Sequence, residues 1–218
     1  MSGKPYYQDE AVTIYHADCR DVLPTLEPVD LVLTDPPYGI GEAAGKNKSR
    51  SRMAVAQDFG EADWDDTPIS TGLLELVRAA GQTQVIFGGN YYDLPPTSCW
   101  LIWDKDNGAS DFADCEMAWT NMTKAVRLIR YRWAGMLQED MSNKEHRWHP
   151  TQKPLAVLRW CIERVPTAQT ILDPFMGSGT TLRAAKDLGR KAIGIEIEER
   201  YCEIAAKRMS QLAMELNA

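Results

Sequence analysis

The chain has 218 residues, a hydrophobic share of 44% and a formal net charge of -7 at neutral pH. This length suits one domain with a real core. No apolar run is long enough to span a bilayer and no signal peptide is evident, so we expect a soluble, cytoplasmic protein. The five cysteines are scattered without a CxxC pair, which predicts reduced thiols and gives no support for a zinc or other metal site.

The first predicted elements lead to a strand that ends in a rigid turn. Residues 11–15 alternate like a short strand, and Asp18 then stands where its side chain can cap a short helix. Residues 29–34 are a mostly apolar run, which predicts a buried parallel strand. The strand ends at the sequence Asp35-Pro36-Pro37-Tyr38. Because two prolines remove two backbone donors and fix the chain's path, we predict a rigid turn at the carboxyl end of this strand.

Three chemical groups converge at that turn: a carboxylate, a backbone carbonyl and an aromatic ring. A planar base with an exocyclic amine suits all three, since it can donate one N–H to Asp35 and one to the Pro36 carbonyl while it stacks on Tyr38. The alternative is an ordinary Pro-Pro turn in which Tyr38 only packs.

Residues 40–60 form a long polar loop, and long loops in compact domains are often functional. The loop carries a basic run, whose members are Lys46, Lys48, Arg50 and Arg52. A helix follows over residues 68–80 and is predicted to bury four apolar side chains, Leu73, Leu74, Leu76 and Val77. Residues 84–87 predict the next buried strand. Three more strands, over 99–103, 115–119 and 125–129, are predicted to be antiparallel because their links are short.

The segment 124–148 is basic although the whole chain is acidic. Between residues 124 and 153 there are seven basic side chains against three acidic ones. Basic segments beside a site are typical of nucleic-acid contact, although solvated loops explain them as well. From this segment we predict three DNA contacts, Arg130, Arg132 and Arg147.

A second turn follows the sequence His149-Pro150-Thr151-Gln152-Lys153-Pro154 and the helix that it opens. The strand over residues 170–172 runs into Asp173-Pro174-Phe175-Met176-Gly177-Ser178-Gly179-Thr180-Thr181, and a helix begins after it. Glycines between a strand and a helix let a ligand approach the backbone. The spacing is neither GxGxxG nor that of a phosphate loop, and Asp173 would repel a pyrophosphate but suit an ammonium group. Lys153 is either a polar loop residue or a contact to an anionic cofactor group.

Glu196 ends the next strand, 19 residues after Gly177. At this offset an acidic residue on the second strand of a dinucleotide-type fold binds a ribose diol. A closing helix over residues 199–216 is predicted to cover the core.

These motifs together resemble the S-adenosylmethionine-dependent DNA amino-methyltransferases, in the permuted (beta-class) order where the DPPY motif comes first. The resemblance rests on residues 35–38, 149–154 and 173–181, with weaker support at Asp18 and Glu196. It implies an α/β fold, a doubly wound, mostly parallel seven-stranded sheet with an antiparallel edge hairpin. It also implies one methyltransferase domain over 1–218, with the basic loop 40–60 and a short target-recognition insert over 124–148.

The resemblance further implies roles for individual residues. The base-holding group comprises Asp35, Pro36, Pro37 and Tyr38. The cofactor group comprises Asp18 for the adenine, Glu196 for the ribose, and Lys153, Asp173, Phe175, Gly177, Ser178, Gly179 and Thr180 around the remainder. The partner is double-stranded DNA, and the resemblance leaves room for a homodimer.

An Asp at the first position of the DPPY motif, in this order, resembles the enzymes that methylate N6 of adenine. N4 of cytosine and an inactive DNA-binding module of the same fold stay open as alternatives. RNA or a protein amide would use the same turn, whereas a nicotinamide oxidoreductase is disfavoured because GxGxxG is missing. The short insert favours a short recognition site, as in solitary or phage-borne enzymes.

Overall fold

A computed structural model describes residues 4–39, 68–108, 113–134, 137–149 and 151–211. The strands are β1 (Tyr7–Gln8), β2 (Val12–His16), β3 (Val29–Thr34), β4 (Gly81–Phe87), β5 (Trp100–Asp104), β6 (Cys115–Thr120), β7 (Arg127–Arg130), β8 (Trp133–Ala134), β9 (Leu137–Gln138), β10 (Thr170–Asp173) and β11 (Lys191–Glu196). The helices are α1 (Cys19–Val22), α2 (Thr71–Ala79), α3 (Leu155–Glu163), α4 (Thr180–Asp187) and α5 (Glu199–Ser210).

The main sheet has nine strands in the order β1-β2-β11-β10-β3-β4-β6-β5-β7, and β8 pairs with β9 separately. Its centre is parallel from β2 to β4, and β6 runs antiparallel between β4 and β5. The parallel strands therefore end at one edge of the sheet, and the reversed β6 begins at that edge. This arrangement brings distant parts of the sequence together there.

Apolar side chains cover both faces of this sheet, as the predicted doubly wound class requires. The side chains of Leu31, Val32 and Leu33 are completely buried, which explains the nearly continuous apolar sequence of β3. On one face the core includes residues of α3, α4 and α5, such as Leu158 and Leu182. On the other face, residues of α1 and α2 complete the packing. The α/β class is confirmed.

Two details of the predicted sheet are wrong. Among the residues that the structure describes, nine strands form the sheet instead of seven, because β1 adds to β2 and β7 adds to β5 at the two edges. The strand predicted over 125–129 is β7, and it pairs with β5 in parallel rather than antiparallel. The short link after β6 reverses the chain, so β7 runs opposite to β6. Because β4 and β5 already occupy both sides of β6, β7 pairs with β5 instead.

The predicted helix near residue 70 is present but shorter and rotated. Ser70 caps α2 by accepting a hydrogen bond from the Leu73 backbone N–H. Leu74 and Val77 are buried as predicted, whereas Leu76 is 40% exposed and does not face the core. None of the helices in the described ranges has the length and apolar character needed to cross a membrane.

Candidate active site

A cavity of about 470 Å³ opens at the edge where the parallel strands end. This volume falls within the range of about 300–1,000 Å³ that is usual for small-molecule sites. Ten of the residues predicted from the sequence line it: Asp18, Asp35, Pro37, Lys153, Asp173, Phe175, Gly177, Ser178, Thr180 and Glu196. Pro36, Tyr38 and Gly179 are not among the lining residues. Thus the two turns that are far apart in the sequence meet around one space.

The glycine turn between β10 and α4 is held from both sides. Gly177 has a φ of 50°, a left-handed conformation that favours glycine. Its N–H donates to the Glu196 carboxylate at 2.9 Å. Behind the turn, the half-buried Arg208 donates to the Ser178 carbonyl at 2.6 Å and to the Thr180 hydroxyl at 3.2 Å. These hydrogen bonds hold the shape of the turn from both sides.

A glycine is needed at position 179 for the packing of two helices, independently of any cofactor. It precedes α4 with a φ of 79°, and a Cβ atom there would lie 2.8 Å from the Cβ of Ala205 on α5. The bare backbone thus lets α4 and α5 pack closely. Gly179 is not among the residues that line the cavity, and its contact with the cofactor stays a prediction.

Asp173 is the most deeply buried carboxylate of the cavity, with 3% of the residue exposed. It accepts hydrogen bonds from the Thr34 hydroxyl at 2.7 Å and the Phe175 N–H at 3.1 Å. Burial nevertheless raises the pKa of Asp173 to about 6. A cation placed next to Asp173 would stabilise its ionised form and so offset the free-energy cost of burying a charge.

Glu196 and Asp18 lie at the end of β11 and at the start of α1. Burial raises the pKa of Glu196, whose oxygens accept from the N–H groups of Gly177 and Glu198. Asp18 caps α1 as predicted, accepting from the Arg20 N–H at 2.9 Å, and its carboxylate also pairs with the Arg20 guanidinium. That pairing lowers the pKa of Asp18.

The turn after β3 holds its aromatic ring against the carboxylate. The Tyr38 hydroxyl donates to Asp35, and the Tyr38 ring lies against Gly88, where a Cβ atom would clash with it. The ring of Tyr91 stacks on Tyr38 with centroids 5.0 Å apart and planes inclined by 17°. The sequence indicates no role for Tyr91, because nothing local shows that the two rings meet.

The Pro36 carbonyl has a protein partner in this structure. The Tyr92 hydroxyl lies 3.1 Å from the Pro36 oxygen and 2.8 Å from the Pro37 oxygen, and its one proton can be donated to either. A carbonyl oxygen has two lone pairs, so it can accept a further N–H. Tyr92 is a second aromatic residue of this site that the sequence analysis missed.

Lys153 lies beside Asp35, and it lines the same cavity as the glycine turn. Its ammonium pairs with Asp35 and, at 2.9 Å, with Glu116, and only 7% of its side chain is exposed. These two carboxylates raise the pKa of Lys153 even though burial opposes the charge. Burial raises the pKa of Asp35, while Lys153 draws it down and Glu116 raises it. Glu116 was not predicted, because its position depends on the reversed strand β6.

His149 lines the cavity and is neutral. Burial lowers its pKa to about 3, and the neighbouring Lys153 and Arg200 add to that effect. Its ring tilts against Tyr201 with centroids 4.5 Å apart. The sequence places this histidine in a motif, but no local pattern indicates a role for it.

The predicted DNA contacts fall into two groups. Those of the basic loop, Lys46, Lys48, Arg50 and Arg52, lie outside the described residues. Arg130 pairs with Asp104 at 2.8 Å and Arg132 pairs with Asp106, both near the carboxyl ends of β5 and β7. Arg147 is different, since its guanidinium lies over the Trp133 ring at 5.1 Å and burial lowers its pKa.

The strand order, the reversed strand β6 and a cavity at the carboxyl edge define the class of Rossmann-like methyltransferases. M1.HpyAVI, solved as a complex with SAM, has a TM-score of 0.55 and 26% identity, covering 92% of this chain and all of that chain. PvuII DNA methyltransferase, described as cytosine-N4-specific, has a TM-score of 0.57 at 15% identity and supports the fold alone.

Sequence comparisons agree with this class. A family model described as DNA methylase, N6_N4_Mtase, matches residues 113–207. The type II methyltransferase M2.LlaDCHI of Lactococcus lactis subsp. cremoris is 29% identical over 97% of this chain and 94% of the relative. The putative methylase YubD of Escherichia coli K12 is 29% identical over 92% of each. Over most of its length the chain is therefore similar to the S-adenosylmethionine-dependent DNA amino-methyltransferases.

Proposed function

We propose that this chain transfers a methyl group from S-adenosylmethionine to the N6 amine of an adenine that is flipped out of duplex DNA. The observation that carries this proposal is that Asp35 and the Gly177 turn line the same cavity. A base inside a duplex is out of reach of such a site, so it must be extruded at a cost of a few kcal/mol. Stacking and edge contacts in the site offset this cost.

The cavity suits the methyl donor in its charges and in its shape. Asp173 offers a buried carboxylate to the ammonium of the methionine part, and the open backbone at Gly177 allows close approach. Glu196 at the end of β11 and Asp18 at the start of α1 offer acceptors for the hydroxyl and amine groups of the donor. S-adenosylmethionine supplies a methyl group on a positively charged sulfur, which an in-line nucleophile can take.

We assign the base to the turn after β3. An exocyclic amine is a poor nucleophile because its lone pair is delocalised into the ring. When its two N–H groups donate to Asp35 and the Pro36 carbonyl, the nitrogen moves toward tetrahedral geometry and its lone pair becomes available. As the new carbon–nitrogen bond forms, the carbon–sulfur bond of the donor breaks and its electron pair stays on the sulfur, which becomes a neutral thioether. The nitrogen then loses a proton, and the Asp35 carboxylate is placed to accept it.

Adenine is preferred because Asp35 occupies the first motif position, as in the adenine enzymes that this sequence resembles. The N4 amine of cytosine also presents two N–H donors, so it is the alternative target. The relatives named type II methyltransferases support a role in DNA modification. A homodimer stays a prediction from the resemblance, and light scattering of the purified chain tests it.

The decisive experiment uses purified protein, unmethylated duplex DNA and labelled S-adenosylmethionine, followed by digestion to nucleosides and mass spectrometry. The proposal expects N6-methyladenine. N4-methylcytosine would keep the mechanism and change the target. Bound donor without any modified base would contradict the proposal and favour an inactive DNA-binding module or an RNA substrate, which the same assay with RNA distinguishes.

A further inference from the structure

Four charged side chains alternate in sign beside the base-holding turn. The Lys153 ammonium lies between the carboxylates of Asp35 and Glu116, and the Lys105 ammonium pairs with the other oxygen of Glu116 at 2.6 Å. All four are largely withdrawn from solvent, with side-chain exposures of 23% or less. The chain of charges therefore couples Lys105 to Asp35 through two intermediate groups.

The reversed strand β6 places Glu116 in this row. Glu116 lies near the start of β6, opposite Trp103 of β5, at the edge where the parallel strands end. The adjacent residue Met117 accepts a hydrogen bond at 2.9 Å from the N–H of Gly88, against which Tyr38 packs. Glu116 is thus anchored to the same turn that supports the base-holding ring.

The two carboxylates compete for one ammonium. Without Glu116, the full charge of Lys153 would act on Asp35, and a carboxylate held tightly by a lysine is a weaker acceptor for another N–H. With Glu116 present, the Lys153 ammonium is shared between two carboxylates, while its charge still orients Asp35. The strong lowering of the Glu116 pKa, to about 2, agrees with a carboxylate that stays ionised between two ammonium groups.

We propose that Glu116 is a positioning residue for methyl transfer, which shares the Lys153 ammonium with Asp35 and so leaves the Asp35 carboxylate available to the target amine. This inference rests on the proposed function of the site. Glu116 itself contacts neither substrate in this account. The groups that face Asp35 are Lys153, Glu116 and Tyr38, with the Asp173 carboxylate adding a weaker repulsion.

The test is the pH profile of kcat for Glu116→Gln, which keeps the side chain's shape and removes its charge. We expect kcat to fall about 100-fold, with the KM for S-adenosylmethionine little changed. Since loss of a neighbouring negative charge lowers the pKa of Asp35, the acid limb of the profile should move to lower pH by about one unit. Glu75→Gln on the exposed face of α2 is the matched control and should leave the profile unchanged.

A second variant predicts the opposite shift. Lys105→Met keeps the hydrophobic stem and removes a positive charge, so Glu116 draws Lys153 more strongly and the acid limb should move to higher pH. The inference is overturned if the variants lose activity but the acid limb of the pH profile does not move, or if Glu116→Gln has a normal profile. The proposed function stands in both cases. If the unchanged chain methylates no base in DNA, the proposed function and this inference fail together.

Discussion

At the scale of single residues, Asp35 carries the clearest expectation. Asp35→Ala should lower kcat roughly 100-fold to 10,000-fold, because the target amine loses its acceptor. Binding of S-adenosylmethionine should persist, and calorimetry measures it in the same preparation. Asp35→Asn is the matched control for shape, since it keeps one oxygen acceptor but not the charge. Normal methylation by Asp35→Ala would contradict the base-holding role, whereas normal methylation by Asp35→Asn alone would show that the acceptor oxygen suffices without the charge.

The raised pKa of Asp173 leads us to expect that binding of the methyl donor depends on pH. Its pKa of about 6 in the free protein means that the carboxylate is partly protonated below that pH. Because a cationic ligand favours the ionised form, affinity for S-adenosylmethionine should fall as the pH drops below about 6, by up to about tenfold per unit. Titration calorimetry between pH 5 and pH 8 measures this, at pH values chosen about one unit apart.

Asp173→Asn serves as the control for that measurement, since it removes the titrating group and should flatten the profile while weakening binding at neutral pH. Without ligand the sign is opposite. A folded-state pKa above the unfolded value of 3.8 contributes stability at low pH, which is lost as the pH rises through about 6. A profile that is equally steep in Asp173→Asn would assign the pH dependence to another group.

Residues differ in how far the sequence alone could place them. Asp35, Asp173 and Glu196 were found because each follows an apolar strand, and strand ends in a parallel sheet meet at one edge. Glu116 lies two residues into a strand whose direction and neighbours are set by distant pairing, so no local pattern reveals it. Tyr91 and Tyr92 were missed for the same reason, since their contacts with residues 36–38 cross more than fifty residues of sequence.

At the scale of elements, the contact between α4 and α5 depends on Gly179. Gly179→Ala would place a methyl group 2.8 Å from Ala205 in a left-handed backbone conformation, so we expect a loss of about 1–3 kcal/mol in the free energy of unfolding. Gly72→Ala on α2 is the matched control, because nothing lies within 4 Å of its added Cβ and a helical alanine should stabilise by about 0.5–1 kcal/mol.

Thermal and urea unfolding of the two variants tests this assignment. If Gly179 acts in packing alone, Gly179→Ala should retain its affinity for S-adenosylmethionine at temperatures where it is folded. A loss of affinity without a loss of stability would instead support the contact with the cofactor that the sequence resemblance implied.

The elements themselves were predictable where burial dictates composition. Apolar runs in the sequence predict β3, β10 and β11, and the capping residue Asp18 predicts α1. The parallel pairing of β7 with β5 was not predictable from link length, because the nearest strand in sequence is not always the nearest in the sheet. The sequence predicts a buried Leu76 because this residue extends the apolar face formed by Leu74 and Val77. The face that α2 actually buries is narrower and leaves Leu76 exposed.

At the scale of the whole molecule, an acidic chain must still approach a polyanion. The arginines near the ends of β5 and β7 are paired with Asp104 and Asp106, which reduces their attraction for phosphate. Their side chains remain 67% and 48% exposed, so phosphate oxygens can reach them. We therefore expect duplex binding that is weak at physiological salt and rises steeply as salt is removed.

The double variant Arg130→Gln/Arg132→Gln tests this surface. If both side chains neutralise phosphates, affinity for duplex DNA should fall and the slope of log K against log salt should decrease in magnitude by up to about 2. The double variant Lys191→Gln/Lys207→Gln is the charge-matched control, since Lys191 begins β11 at the opposite edge of the sheet and Lys207 lies toward the end of α5. Fluorescence anisotropy over a salt series gives both slopes. Equal changes in the two variants would mean that net charge alone governs binding, whereas a change confined to the arginine variant locates the duplex over the ends of β5 and β7, beside the strand that carries Glu116.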